Sequence, residues 1–138
     1  IFGYKLEIEQ GNRYRYKTNA VDNASVVDIV ELPNAAAGVQ AGGTNHHVAF
    51  RVKDEETLMA FRREILAKGF QITEKINRDY FYSLYFREPG GVLFEIATDN
   101  PGFATDETVE QLGSKLQLPH QYQGMREQIE KILPELHQ

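Results

Sequence analysis

The sequence predicts an α+β fold built on a βαβββ module, and three observations carry that prediction. Over residues 46–98, alternating or β-branched runs flank one segment of helical periodicity, in the order strand, helix, strand, strand, strand. The opening residues repeat the end of that order: helix end, Gly, strand, turn, strand, loop, strand. Gly3-Tyr4-Lys5-Leu6 thus parallels Gly69-Phe70-Gln71-Ile72. Beyond Asp99 strand alternation gives way to helical spacing. The expected organisation is a partial module with a linker over 1–42, a complete module over 43–99 and a C-terminal helical arm over 100–138.

Each element has a local reason. Leu6 and Ile8 alternate within a strand over 4–9, Gln10-Gly11-Asn12 is a turn, and Arg13-Tyr14-Arg15-Tyr16 is the partner strand. The β-branched run SVVDIVEL over 25–32 is a third strand, completing a meander, and 33–43 is a linker of Asn, Ala and Gly. In the strand over 46–52, Val48, Phe50 and Val52 face one way, while His47, Ala49 and Arg51 face the other. His46 falls on the first of these faces, and His120 and His137 lie in the arm as surface residues. Asp54 is a plausible N-cap, with Glu55 and Glu56 suited to the positive end of a helix dipole. Leu58, Phe61, Ile65 and Leu66 recur at helical spacing until Gly69 stops the run. Strands over 71–76, 80–87 and 92–98 follow, the last two joined by Glu88-Pro89-Gly90-Gly91. In the arm, a short helix is expected over 106–118 with a break near Gly113. A second is expected over 121–133, its stripe of Met125, Ile129, Ile132 and Leu133 packing over a sheet.

Composition narrows the function. The 138 residues hold 15 Lys and Arg against 20 Asp and Glu, a net charge of −5, and no Cys. About two-thirds of the surface of a chain this long is buried on folding, enough for a core without staples. The missing thiols exclude a disulfide framework, a thiolate zinc site and a cysteine nucleophile. The acidic balance argues against nucleic acid or an anionic membrane as partner. No apolar run approaches the roughly 18 residues a bilayer span needs, and no secretory signal opens the chain, so a cytoplasmic protein is expected.

The residues that could carry chemistry gather on one face. Counting back from the Pro-Gly-Gly turn sets Tyr85 opposite Glu95, on a face shared with Ser83, Arg87, Leu93 and Ala97. Leu84, Phe86, Phe94 and Ile96 form the other, helix-packed face. Parity puts His47 on the Glu95 side. One imidazole and one carboxylate are two members of a 2-His-1-carboxylate set, which leaves open positions on Fe(II). Plainer readings stand beside this one. A lone His on a strand is commonly solvated, a Tyr is commonly core, and Glu95 could lie on the wet face of an antiparallel strand. Were it buried, a carboxylate inside VLFEIA would be costly unless paired or metal-bound. Arg13, Arg15 and Arg51 read as solvated strand charges.

Asn45-His46-His47-Val48-Ala49-Phe50-Arg51-Val52-Lys53-Asp54 and the stretch FREPGGVLFEIATD resemble the last module of vicinal-oxygen-chelate proteins. That superfamily includes glyoxalase I, bleomycin-resistance proteins and extradiol ring-cleaving dioxygenases. With the following Pro101-Gly102-Phe103 and the Leu118-Pro119 tail, the sequence is most similar to bacterial ring-cleaving dioxygenases of the hydroquinone-active kind. The resemblance covers nearly the whole chain, most closely residues 43–138. It implies βαβββ modules whose mixed sheets curl around a metal, with His47 and Glu95 as metal ligands. Tyr85, ten residues before that Glu, occupies the place of a tyrosine that hydrogen-bonds bound substrate. Fe(II) is the implied cofactor, with Mn, Zn or Ni as alternatives, and a small aromatic diol and O2 are the implied substrates. Glyoxalase-type isomerisation and a metal-free module of the drug-resistance kind are the competing functions.

Related enzymes carry more modules and take another His ligand from a different one. Residues 1–3 read as a helix end with no helix before it. The sequence is therefore expected to be the C-terminal part of a longer protein, inactive alone, with its third ligand upstream of Ile1. A module edge left exposed favours a homodimer.

Overall fold

The computed structural model describes residues 1–36 and 38–134, so His137 lies outside the described residues. These form two compact units, Ile1–His46 and His47–Gln138, each with its own sheet.

The first unit is an antiparallel meander of β1 (Lys5–Gln10), β2 (Arg13–Lys17) and β3 (Val26–Val30). Tyr14 pairs with Ile29 and Tyr16 with Val27, while Arg15 sits opposite Asp28 on the other face. Alternation therefore sorts one face of the β2–β3 pair toward apolar side chains and the other toward ions. In β1 a register shift between Leu6 and Ile8 breaks the expected alternation and sets Ile8 opposite Arg15 and Glu9 opposite Tyr14. Arg15 Nε and Arg13 Nη1 donate to Asp28 at 2.8 and 3.0 Å. These two guanidinium groups hold the Asp28 carboxyl down to about 2.

The second unit is the βαβββ module: β4 (Val48–Val52), α1 (Glu55–Ala67), β5 (Ile76–Asn77), β6 (Tyr82–Arg87) and β7 (Leu93–Thr98). Its mixed sheet has the order β4-β7-β6-β5, with β4 parallel to β7 and the other pairs antiparallel. The α+β class and the module order agree with the sequence reading. At the start of α1, the Asp54 carboxylate accepts from the Thr57 amide at 2.8 Å, a side-chain N-cap. Past its end Gly69 takes φ +84°, a conformation that favours glycine. One side of α1 buries Leu58 and Ile65 completely, against Leu84 and Ile96, also fully buried. Phe86 and Val52 complete this core. Each such aliphatic side chain contributes about 1.5–3 kcal/mol by leaving water.

Two local expectations in this module are corrected. The strand over 46–52 begins only at Val48, so His46 and His47 precede it. The strand over 71–76 shrinks to a single bridge, Ile72 to Phe86, and the two residues of β5. There the Thr73 amide still donates to the Tyr85 carbonyl at 3.0 Å, and side chains add to that bond: the Thr73 hydroxyl accepts from the Tyr85 amide at 3.0 Å, and Arg62 Nε donates to the Thr73 carbonyl.

The arm departs further. No α-helix forms over 106–118; a short 3-10 turn, Val109–Gln111, is followed by Gly113 at φ +77°. That left-handed residue ends any helix after too few turns to propagate. Of the expected second helix, His120–Met125 is 3-10 and only α2 (Arg126–Ile132) is α-helical. Gly124, a poor helix former, sits at that junction. The stripe does not pack as expected: Ile132 is 81 % exposed, and Met125 and Leu133 are also exposed. What buries the arm is Leu118, ahead of both segments. Among the described residues, no helix is long and apolar enough to cross a membrane.

Candidate metal centre on the open sheet face

The turn between β6 and β7 sets the site's register. Glu88 folds its carboxylate back to accept from the amides of Gly90 at 2.9 Å and Val92 at 2.7 Å. Gly91, at φ +90°, donates its amide to the Glu88 carbonyl. Only glycine takes that angle without strain. So pinned, the hairpin pairs Arg87 with Leu93, Phe86 with Phe94 and Tyr85 with Glu95. Period-2 alternation then sends Leu84, Phe86 and Ile96 into the α1 core, and Tyr85 and Glu95 to the opposite face.

Pairing of β4 with β7 adds the imidazole. Their parallel register sets Ala49 beside Glu95, so His47, two residues earlier, lies on the Glu95 face. His47 Nε2 is 2.6 Å from Glu95 Oε2. The Tyr85 hydroxyl donates to Glu95 Oε1 at 2.7 Å. The His47 and Tyr85 rings meet edge to face at 5.8 Å. The structure thus brings together all three residues singled out in the sequence.

Burial is uneven, and that matters chemically. Glu95 is 4 % exposed, which removes the solvated alternative. A carboxylate taken out of water costs several kcal/mol unless its oxygens are satisfied, and here each oxygen has one partner. The His47 side chain keeps about a third of its surface open, at 32 %, so the cluster can be reached from solvent.

Arg78 is a neighbour that sequence reasoning missed. Its Nη2 donates to the Tyr85 hydroxyl at 3.4 Å, and its guanidinium lies 5.5 Å from the ring centroid. It sits in the β5–β6 turn, where no strand parity applies; the only sequence cue was a cation in a turn seven residues before Tyr85. The other candidates lie apart. His46 is exposed, and its carbonyl accepts from Gln40 Nε2. Arg51 pairs with Asp99 at the surface, 78 % exposed, and the His120 side chain is exposed.

The donor set fits a metal as far as it goes. One imidazole nitrogen and one carboxylate oxygen suit a divalent transition ion. Their 2.6 Å separation is close to the roughly 3 Å between adjacent ligands on an ion with bonds of about 2.1 Å. Among the described residues, however, no group of three His, Cys, Asp or Glu is placed to hold an ion. The chain offers a pair of ligands, not a closed site.

Comparison with known proteins places the chain in a family. Residues 6–96 match the model of the Glyoxalase/Bleomycin resistance protein/Dioxygenase superfamily. The sequence is 44 % identical to "Putative ring-cleaving dioxygenase MhqO" of Bacillus subtilis, over 97 % of this chain and 43 % of that protein. It is 34 % identical to "Chlorohydroquinone/hydroquinone 1,2-dioxygenase" of Sphingobium indicum, over 91 % of this chain and 40 % of that protein. A crystal structure of a "putative dioxygenase" from B. subtilis superposes with a TM-score of 0.89 at 42 % identity, over 98 % of this chain and 43 % of that one. The chain therefore spans less than half the length of these relatives.

Proposed function

The chain belongs to the glyoxalase/bleomycin resistance protein/dioxygenase superfamily, and we propose that it forms part of a metal-dependent, extradiol-type ring-cleaving dioxygenase. Its substrates are a catechol- or hydroquinone-like aromatic and O2. The observation that carries this reading is the buried Glu95 carboxylate, held between the His47 imidazole and the Tyr85 hydroxyl. The names borne by its relatives support the same chemistry.

In this reading His47 and Glu95 hold the metal through Nε2 and a carboxylate oxygen. Fe(II) suits the reaction, with Mn, Zn or Ni as alternatives, and a further imidazole from upstream of Ile1 completes the set. Bound there, the metal supplies Lewis-acid activation and a template for the diol oxygens and O2. Glu95 offsets part of the cationic charge. Tyr85, its hydroxyl already beside that carboxylate, orients a substrate oxygen or moves a proton at its own oxygen. The exposed side of His47 leaves a path for the ring.

The test uses the complete enzyme carrying this chain, loaded with Fe(II) without air and then given O2 with hydroquinone or catechol. The expected result is consumption of O2 and diol in equal amounts, with a ring-opened product. Metal-dependent isomerisation of a hemithioacetal, with no diol-dependent O2 uptake, would replace this reading with the glyoxalase type. Diol binding unaffected by metal removal would point to the sequestering module.

A further inference from the structure

The β5–β6 turn that carries Arg78 is tied from outside the sheet. Asp79 takes φ +64°, a left-handed conformation costly for a non-glycine residue. It persists because its surroundings hold it. The Asn77 side-chain carbonyl accepts from the Asp79 amide at 2.8 Å, and the Arg78 amide donates to the Phe81 carbonyl at 2.9 Å. The remaining ties come from the arm. The Gly102 amide donates to the Tyr80 carbonyl at 2.9 Å. The Tyr80 hydroxyl donates to Asp106 Oδ2 at 2.8 Å, and its ring stacks on Phe103 at 5.1 Å. The His120 amide donates to Asp79 Oδ2 at 3.3 Å.

Turn and arm are not packed solid. They border a cavity of about 270 Å³, lined by Asp79, Tyr80, Asp106 and His120 among others. Where a seam is not filled, position depends on the few polar ties that cross it rather than on close packing. The hydrogen bond to the Asp106 carboxylate also holds the Tyr80 phenol above its ordinary range.

We propose that Asp106, acting through Tyr80, is a positioning residue that holds the Arg78 guanidinium against the Tyr85 hydroxyl. The arm is then part of the site's support, although among the described residues it contributes no group to the His47–Glu95–Tyr85 cluster. Removing the tie lets the turn relax and withdraws Arg78 from Tyr85, leaving the α1 core untouched. The kinetic consequence rests on the ring-cleavage reading; the structural one does not.

Two variants test it in the complete enzyme. Tyr80→Phe keeps the stacking ring and removes the hydrogen bond; Asp106→Asn keeps the shape and weakens the acceptor. In metal-free protein, the Arg78 side-chain resonances are expected to be displaced by the Tyr85 ring current and to show cross-relaxation with that ring. Both signatures should fall in either variant while the α1 amide resonances stay in place. Turnover should drop roughly three- to tenfold with KM little changed, and Tyr80→Phe should cost nothing further in an Arg78→Gln background. Undiminished Arg78–Tyr85 cross-relaxation in both variants overturns the proposal, as does an equal kinetic loss in both backgrounds. Loss of the α1 resonances in both variants does so too, because the tie would then be global. A wild-type enzyme that cleaves no diol removes the ring-cleavage reading while leaving the resonance comparison valid.

Discussion

Tyr85 and Glu95 are direct partners across the β6–β7 hairpin, and the Tyr85 hydroxyl reaches Glu95 Oε1 at 2.7 Å. This single contact joins a phenol, which can move a proton, to a carboxylate, which can bind a cation. Two changes at the pair should have separate consequences.

Glu95→Gln preserves the shape of the side chain and removes its charge. The complete enzyme should lose metal affinity by more than the roughly 10–100-fold that removing an outer hydrogen-bond partner costs. Metal content after dialysis measures it. A variant that retains stoichiometric metal would exclude Glu95 as a ligand.

Tyr85→Phe should keep the metal and slow turnover by about a hundredfold or more, the usual worth of a positioned proton-transfer group. Metal analysis and kcat on the same sample separate it from Glu95→Gln. Unchanged kcat would remove Tyr85 from the chemistry.

Ile96→Ala opens a hole beneath α1 where Leu58, Ile65 and Leu84 meet, all fully buried. It should destabilise the His47–Gln138 unit by about 2–5 kcal/mol in urea titration. A loss under about 1 kcal/mol would mean that α1 is not packed on the sheet as described.

In the Ile1–His46 unit, Asp28 titrates near 2 in the fold because Arg15 and Arg13 donate to it. A depressed carboxyl stabilises the fold above its unfolded value, about 4, and that contribution disappears as pH falls through 2. Asp28→Asn should therefore flatten the acid limb of this unit's stability curve between roughly pH 4 and pH 2. An acid limb identical to wild type, followed by circular dichroism, would refute the ion pair.

Whatever depends on neighbours along the chain was legible without the fold. Asp54 capped its helix, Gly69 ended it, and the Glu88–Gly91 turn with period-2 alternation placed Tyr85 opposite Glu95. Turn chemistry and pleat are local, so they survive in any context that lets the hairpin form. Where local preference was weak the reading failed: the 106–118 helix gave way to Gly113, and the arm's apolar stripe stayed exposed.

Tertiary structure decided the rest. Parity gave His47 the correct face, but only the parallel alignment of β4 with β7 set its nitrogen 2.6 Å from Glu95, because a crossover connection carries no register signal in the sequence. Arg78 was invisible for a related reason. Its place against Tyr85 follows from a left-handed Asp79 held by groups as distant in sequence as His120, and such long-range ties leave no periodicity to read.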